Sequence, residues 1–146
     1  MKIGHSDWIV VCDGRKAILL ENEGDEMLAK LATREVHEQK EEPTRNLGTD
    51  KPGRFAEMAT GVRSATEPTD FHDQEETAFL GRLSARLDAL VKSGEAHHVV
   101  IVAPPRALGA LRKSYSSALR HAIRAEIDHD LVHLPVAEIE ARLSKV

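Results

Sequence analysis

The chain has 146 residues, a formal net charge of −4 and one cysteine. This length suits one domain with a sizeable core, and the charge gives no overall attraction to nucleic acid or anionic membranes. Aromatic residues make up only 3% of the chain, which argues against binding by base stacking. One cysteine excludes an internal disulfide, and no stretch has the roughly 20 apolar residues of a membrane span. Because the amino terminus has no signal-peptide layout, we expect a cytoplasmic protein.

Three strands are predicted in the first third of the chain. The first, over residues 8–12, is short and rich in β-branched residues, and the second covers residues 17–21. Asp13 and Gly14 between them are typical of a hairpin turn, because both residues tolerate positive φ. A third strand is predicted over residues 28–36. Together the three strands would form an antiparallel meander.

A long polar loop is predicted over residues 38–72, where prolines and glycines interrupt the pattern. Loops of this length in compact domains are usually functional or disordered. The stretch TRNLGTDKPGRF within it has the basic residues Arg45, Lys51 and Arg54 around two glycines, of which Gly53 lies between Lys51 and Arg54. Backbone N–H groups beside glycines approach phosphate closely, and arginine supplies forked donors. The stretch therefore predicts an anion or RNA-backbone site, extended by Arg106 and Arg112; the alternative is a solvated loop held by salt bridges.

A helix is predicted from Asp73 onward, because Asp73 and Glu76 have the spacing of a capping box. Gly94 is the expected residue just beyond its end. An apolar stripe at helical spacing supports the assignment and consists of Phe79, Leu83, Leu87 and Leu90.

The apolar run Val99–Ala103 predicts a strand that is buried on both faces. Pro104 and Pro105 then turn the chain into the next helix. In sheets of this kind, ligands gather outside the carboxyl ends of the strands. A corner site is therefore predicted at the two prolines, with Asp13 and His72 as its polar side chains.

The last part of the chain predicts a half-exposed strand over residues 123–128, where apolar and polar residues alternate. A helix over residues 117–127 is the alternative. Pro135 begins a final helix. The order β-β-β-α-β-α-β-α predicts one α/β domain, residues 1–146, with a mixed five-stranded sheet flanked by helices. This order matches the ribonuclease-H-like arrangement.

Catalytic and metal-binding motifs are weak in this sequence. A nuclease of this architecture needs several carboxylates around two metal ions, and the strand Val99–Ala103 supplies none. His129 and His133 have the spacing of a helical metal pair, but their surroundings indicate a solvated connection. No Gly-x-Ser-x-Gly elbow or phosphate-binding loop is found. We therefore expect no catalytic residue, metal ligand or cofactor.

Five segments occur in the same order and spacing in one known family: WIVVCDGRKAILLEN, GTDKPGRF, FHDQEETAF, VVIVAPPRALGALR and AEIDHDLVHLP. The chain resembles the bacterial host attachment protein family, named for a requirement in attachment to host cells. That family is grouped with bacterial relatives of the archaeal and eukaryotic peptide-chain release factors. The resemblance implies a fold similar to the release factor's middle domain. The release factor's Gly-Gly-Gln tripeptide is absent here, which speaks against peptidyl-tRNA hydrolysis by that mechanism.

Three functions stay open from the sequence. The first is a non-enzymatic cytoplasmic module that contacts the ribosome, RNA or a translation partner through the basic residues named above. The second is a regulatory factor that binds another protein and affects host attachment indirectly. The third is a hydrolase acting at the corner of Asp13, His72 and Pro104. The sequence favours the first and indicates no oligomeric state.

Overall fold

The computed structural model describes residues 1–39 and 67–146, with side chains described from residue 71 onward in the second range. The strands in these ranges are β1 (Trp8–Cys12), β2 (Lys16–Asn22), β3 (Leu31–Glu38), β4 (Val99–Ala103) and β5 (Ile123–Asp128). The helices are α1 (Glu67–Lys92), α2 (Pro105–Arg112), α3 (Ser117–Ala122) and α4 (Val136–Ser144). In the part of the chain so described, no helix is long and apolar enough to cross a membrane.

The five strands form one mixed sheet in the order β3-β2-β1-β4-β5. β1 and β2 pair antiparallel, as do β2 and β3, whereas β1–β4 and β4–β5 are parallel pairs. The chain therefore builds one side of the sheet outward from β1 and then returns to build the other side. The carboxyl ends of β1, β4 and β5 lie together, and we call this end of the sheet the carboxyl edge. The prediction of a single α/β domain with a mixed five-stranded sheet is confirmed.

Helices cover both faces of the sheet. Side chains alternate between the two faces along each strand, so β1, β2 and β4 contribute to an apolar cluster on either side. Val10 and Cys12 of β1 belong to the apolar cluster beneath α1, α2 and α3. Ile9 and Val11 belong to the cluster on the opposite face, together with Ile139 of α4. This arrangement explains why β1 and β4 are continuous apolar runs: all five residues of each strand are buried.

Helix α1 begins earlier than the sequence predicted. It starts at Glu67, so the predicted capping box at Asp73 is wrong, and so is the predicted loop over residues 67–72. Pro68 fits the first turn of the helix, because the N–H that proline lacks would be unpaired there. The other end agrees with prediction: Gly94 follows the helix with φ +88°, and its N–H donates to the Val91 carbonyl at 3.1 Å.

The β1–β2 hairpin is confirmed, but its predicted backbone conformation is wrong. Among the described residues, positive φ occurs only at Ser6 and Gly94, so Asp13 and Gly14 do not adopt it. The Asp13 carboxylate closes the turn instead, since its Oδ1 accepts the backbone N–H groups of Arg15 at 2.8 Å and Lys16 at 2.9 Å.

The third strand begins at residue 31 and not at the predicted residue 28. Asp25 closes a turn first, because its Oδ1 accepts the N–H groups of Met27 and Leu28. The connection is anchored by the fully buried Asn22, whose Oδ1 accepts the N–H groups of Gly24 and Lys30 at 2.9 Å each. Its amide nitrogen donates to carbonyl groups of the amino-terminal segment.

The segment 117–127 divides into a helix and a strand. α3 ends at Ala122 and β5 begins at Ile123, so the strand prediction is confirmed and the alternative of one continuous helix is wrong. Ser116 caps α3, since its Oγ accepts the Leu119 N–H at 3.0 Å. Pro135 is the residue that precedes α4 and accepts its first backbone hydrogen bond, from Ile139.

Candidate functional site

The carboxyl edge of the sheet brings distant parts of the sequence together. Asp13 follows β1, Pro104 follows β4, and the segment from His129 follows β5. β1 and β4 lie side by side, although β2, β3 and α1 separate them in the chain. The strand order reverses between them, which is where open α/β sheets usually bind ligands.

Three polar side chains meet at this edge: Asp13, Asp130 and His133. One ligand atom of each lies within 4.8 Å of the other two, and we call the set the Asp-Asp-His cluster. His133 Nε2 lies 3.4 Å from Asp13 Oδ2. Asp13 is partly buried, whereas Asp130 and His133 are exposed. Two carboxylates and an imidazole form a set that can hold a divalent metal ion.

The geometry of this cluster is fixed by the β1–β2 turn, which holds Asp13, and by the segment after β5, which holds Asp130 and His133. The hairpin turn uses Oδ1 of Asp13 and leaves Oδ2 directed at His133. Leu131 and Val132 are buried in the core beneath α4, which holds Asp130 and His133 on either side of them at the surface. The Leu134 N–H donates to the Leu131 carbonyl at 3.0 Å and closes the connection as a turn.

A groove of about 560 Å³ lies between α1 and α2, beside the β1–β2 turn. Its apolar wall includes Leu80 and Ala107. Its charged residues are two carboxylates and two cations, namely Asp73, Glu76, Arg106 and Lys113. We call it the α1–α2 groove.

Charges in the α1–α2 groove are only partly paired. Arg106 at the start of α2 forms an ion pair with Asp73 of α1. Glu76 lies against Gly14, where an added Cβ would be 2.7 Å from the Glu76 carboxyl carbon. Within the described ranges, neither Glu76 nor Lys113 has an ion-pair partner, so both charges are available to a ligand.

The N-terminus of α2 opens into the same groove. Pro104, which precedes the helix, makes no side-chain capping bond, and the first turn has no acidic residue. Free N–H groups at a helix start attract anions. The predicted corner at Pro104 is thus part of the groove lining, whereas Pro105 is an exposed residue beside it.

A second groove, of about 550 Å³, lies between the end of β3 and α1. Close to it, Glu35 of β3 bonds Arg86 of α1, with Glu35 Oε2 2.5 Å from the guanidinium. Hydrogen bonds from Arg86, and to a smaller extent from His37, lower the pKa of Glu35 to about 2. This ion pair joins the edge strand to the helix that covers it.

The two arginines that the sequence predicts as an extension of the anion site lie near opposite ends of α2. Arg106 lies at the groove, but Arg112 is six residues further along α2, about 9 Å by helix rise. Arg112 is therefore not among the residues that line the α1–α2 groove. Its guanidinium bonds Glu126 of β5 at 2.7 Å, and Tyr115 donates to the same carboxylate at 2.8 Å. Because Arg112 bonds one oxygen of this carboxylate and Tyr115 the other, the cluster joins α2 to the sheet.

The remaining predicted residues divide into two groups. His72 is exposed on α1, with its ring 6.2 Å from that of Phe71, and within the described residues no bond joins it to Asp13 or Pro104. The predicted loop site of Arg45, Lys51, Gly53 and Arg54 lies outside the described residues.

Cys12 is a core residue, as its apolar surroundings in the sequence predict. It is fully buried, and burial together with the neighbouring Asp13 charge raises the pKa of its thiol to about 12. A neutral, enclosed thiol is unreactive.

Sequence reasoning missed the combination of Asp130 and His133 with Asp13. In the sequence, His133 has helical spacing to His129, whereas its neighbour in the fold is Asp13, 120 residues away. The available signal was the parallel sheet itself, which places the segment after the last strand beside the end of the first.

A known protein family matches this chain over nearly its whole length. The sequence profile of the family described as "Protein required for attachment to host cells" matches residues 8–143. This range includes all five strands, the Asp-Asp-His cluster and the α1–α2 groove. No curated protein is similar enough to count as a match.

Proposed function

Because the chain belongs to the family of proteins required for attachment to host cells, we propose that it acts in attachment as a non-enzymatic binding module. Its contact surface is the α1–α2 groove, and its partner is a protein segment with charges of both signs. We expect this complex in the cytoplasm. The observation that supports the proposal is the equal number of carboxylates and cations that line the groove.

The charges and the apolar wall fit a peptide better than a polyanion. Asp73 and Glu76 repel phosphate, and Glu76 has no ion-pair partner in the described part of the chain. A peptide cation can pair with Glu76 while a peptide carboxylate pairs with Lys113. Pro104 and Ala110, which line the groove and are partly exposed, supply apolar contact, which interfaces need at their centre.

A ribosomal or other RNA is the second candidate partner. The specific observation in its favour is the uncapped start of α2 beside Arg106, which suits a phosphate group. The order β3-β2-β1-β4-β5, in which β2 is antiparallel to both neighbours, supports the ribonuclease-H-like arrangement and a likeness to the release factor's middle domain. In this version, the basic residues Arg45, Lys51 and Arg54 add backbone contacts to those of Arg106.

Sedimentation of the tagged protein in a sucrose gradient of cell lysate tests the proposal. We expect a complex that survives RNase treatment and moderate salt, and that is lost in Lys113→Ala. An RNA complex would instead disappear with RNase and weaken steeply as salt rises. Lys30→Ala is the matched control, since Lys30 is exposed in the β2–β3 connection at the opposite end of the sheet.

Glu76→Gln distinguishes directly between the two candidate partners, a mixed-charge peptide and RNA. Removing this carboxylate weakens binding to a mixed-charge peptide, because a pairing site is lost. The same change strengthens binding to a polyanion, because a repulsive charge is removed. Sedimentation at the top of the gradient for the wild type in every condition would contradict both versions of the binding-module proposal.

A further inference from the structure

The Asp-Asp-His cluster supports an inference that goes beyond the proposed function and does not depend on it. We propose that Asp13, Asp130 and His133 bind a divalent transition metal ion, Mn²⁺ or Zn²⁺. The sequence alone gave no expectation of a metal site, because its ligands come from segments more than 110 residues apart.

The donor set determines the class of ion. Imidazole nitrogen suits Zn²⁺ and other transition metals, and carboxylate oxygen suits Mn²⁺ as well as Zn²⁺. Neither thiolate nor thioether is in the set, so soft ions such as Cu(I) are disfavoured.

The distances are close to those of a bound site. Ligand atoms about 2.1 Å from a common ion are separated by about 3.4 Å in tetrahedral geometry. His133 Nε2 and Asp13 Oδ2 already have this separation, at 3.4 Å. Asp130 completes the set within 4.8 Å, and its exposed side chain can close the remaining gap by rotation.

The site is preorganised on one side and adjustable on the other. Asp13 cannot turn away, since its second oxygen accepts two backbone N–H groups of the hairpin. Leu131 and Val132 anchor the opposing loop in the core. Preorganised ligands lose little freedom on binding, which favours capture of the ion.

The charge balance around the cluster also favours a cation. Asp13 and Asp130 face a single imidazole, that of His133. The Glu76 carboxylate lies against Gly14, one residue beyond Asp13. Asp130 has no hydrogen-bond or ion-pair partner elsewhere in the described ranges. Three protein ligands would leave a coordination position open for water or an anionic group.

The competing explanation is an ion pair between His133 and Asp13 without a metal. That explanation gives Asp130 no part, whereas metal binding requires it. Asp130→Asn therefore discriminates between the two, and because the Asp130 side chain is exposed, we expect the variant to fold as the wild type does.

Isothermal titration of the untagged protein with Mn²⁺ and, separately, with Zn²⁺ tests the site. We expect one equivalent of ion, with affinity reduced at least about tenfold in Asp130→Asn and in His133→Ala. The matched controls are Asp128→Asn and His129→Ala, which alter the same residue types just outside the cluster. Both should bind within about twofold of the wild type.

Two results would overturn the metal site. One is no binding of either ion at millimolar concentration. The other is binding that Asp130→Asn and His133→Ala leave unchanged, which would place the ion elsewhere. Since the titration contains no partner, its failure leaves the sedimentation result for the α1–α2 groove unaffected, and the reverse also holds.

Discussion

Replacement of Glu35 by glutamine should weaken the attachment of β3 to α1 in a pH-dependent way. The Arg86 guanidinium and, to a smaller extent, the His37 imidazole lower the pKa of Glu35 from 4.5 to about 2. A shift of this size corresponds to about 3 kcal/mol if none of it is screened. The Glu35 side chain is 24% exposed and that of Arg86 is 42% exposed, so solvent screening reduces the contribution to about 1 kcal/mol.

The direction of the pH effect follows from the lowered pKa. A carboxylate whose pKa is lower in the folded state contributes its full stability above the unfolded value, near 4.5. That contribution is lost as pH falls from 4.5 towards 2. Urea unfolding of Glu35→Gln should therefore show a loss of about 1 kcal/mol at neutral pH, and the difference from wild type should shrink below pH 4.5.

A control and a double-mutant cycle complete this test. Glu38→Gln on the same strand changes an exposed carboxylate that has no ion-pair partner in the described ranges, and it should alter stability little. The cycle with Arg86→Ala should return a coupling free energy that accounts for most of the loss seen in Glu35→Gln, the remainder being due to the His37–Glu35 contact. A loss independent of pH, or an equal loss in Glu38→Gln, would refute the assignment to the Glu35–Arg86 pair.

Further predictions concern positions where the backbone depends on one residue. Gly24→Ala should cost about 2 kcal/mol or more in thermal unfolding, because its Cβ would lie 2.1 Å from the Leu28 carbonyl oxygen. Gly94→Ala should cost about 1 kcal/mol at φ +88°, whereas Gly81→Ala, which meets nothing within 4 Å inside α1, should stabilise by about 0.5 kcal/mol. Asn22→Ala should cost about 2–4 kcal/mol, measured by urea unfolding, because it leaves several buried backbone groups without partners. An Asn22→Ala variant as stable as wild type would contradict its role as the anchor of the β2–β3 connection.

The strands that are buried on both faces could be predicted from the sequence. β1 and β4 are apolar without interruption because every position contacts one of the two cores. Gly94 could also be predicted, since the helix end requires a left-handed backbone conformation, which glycine adopts without strain. In each case, the residue type itself carries the structural requirement.

Helix starts and turns were harder to predict where one acidic side chain could make several alternative contacts. Asp73 has the sequence spacing of a helix cap, but the helix continues to Glu67 and the Asp73 carboxylate bonds Arg106 of α2 instead. Asp13 has the residue type of a positive-φ turn, yet its carboxylate satisfies the turn's N–H groups and removes the need for that conformation. The same acidic residue type serves caps, turns and ion pairs, and the tertiary contact decides among them.

The candidate site could be predicted only as a location. The sequence indicates the carboxyl edge at Asp13 and Pro104, because parallel strands place their ends together. The partners of Asp13 depend on which strand lies next to β4. Since β5 pairs parallel with β4, the chain after Asp128 emerges at the same edge and brings His133 within 3.4 Å of Asp13. Pairing of β5 in the opposite direction would carry Asp130 and His133 to the far end of the sheet, so the cluster is a consequence of strand direction, which no local sequence pattern specifies.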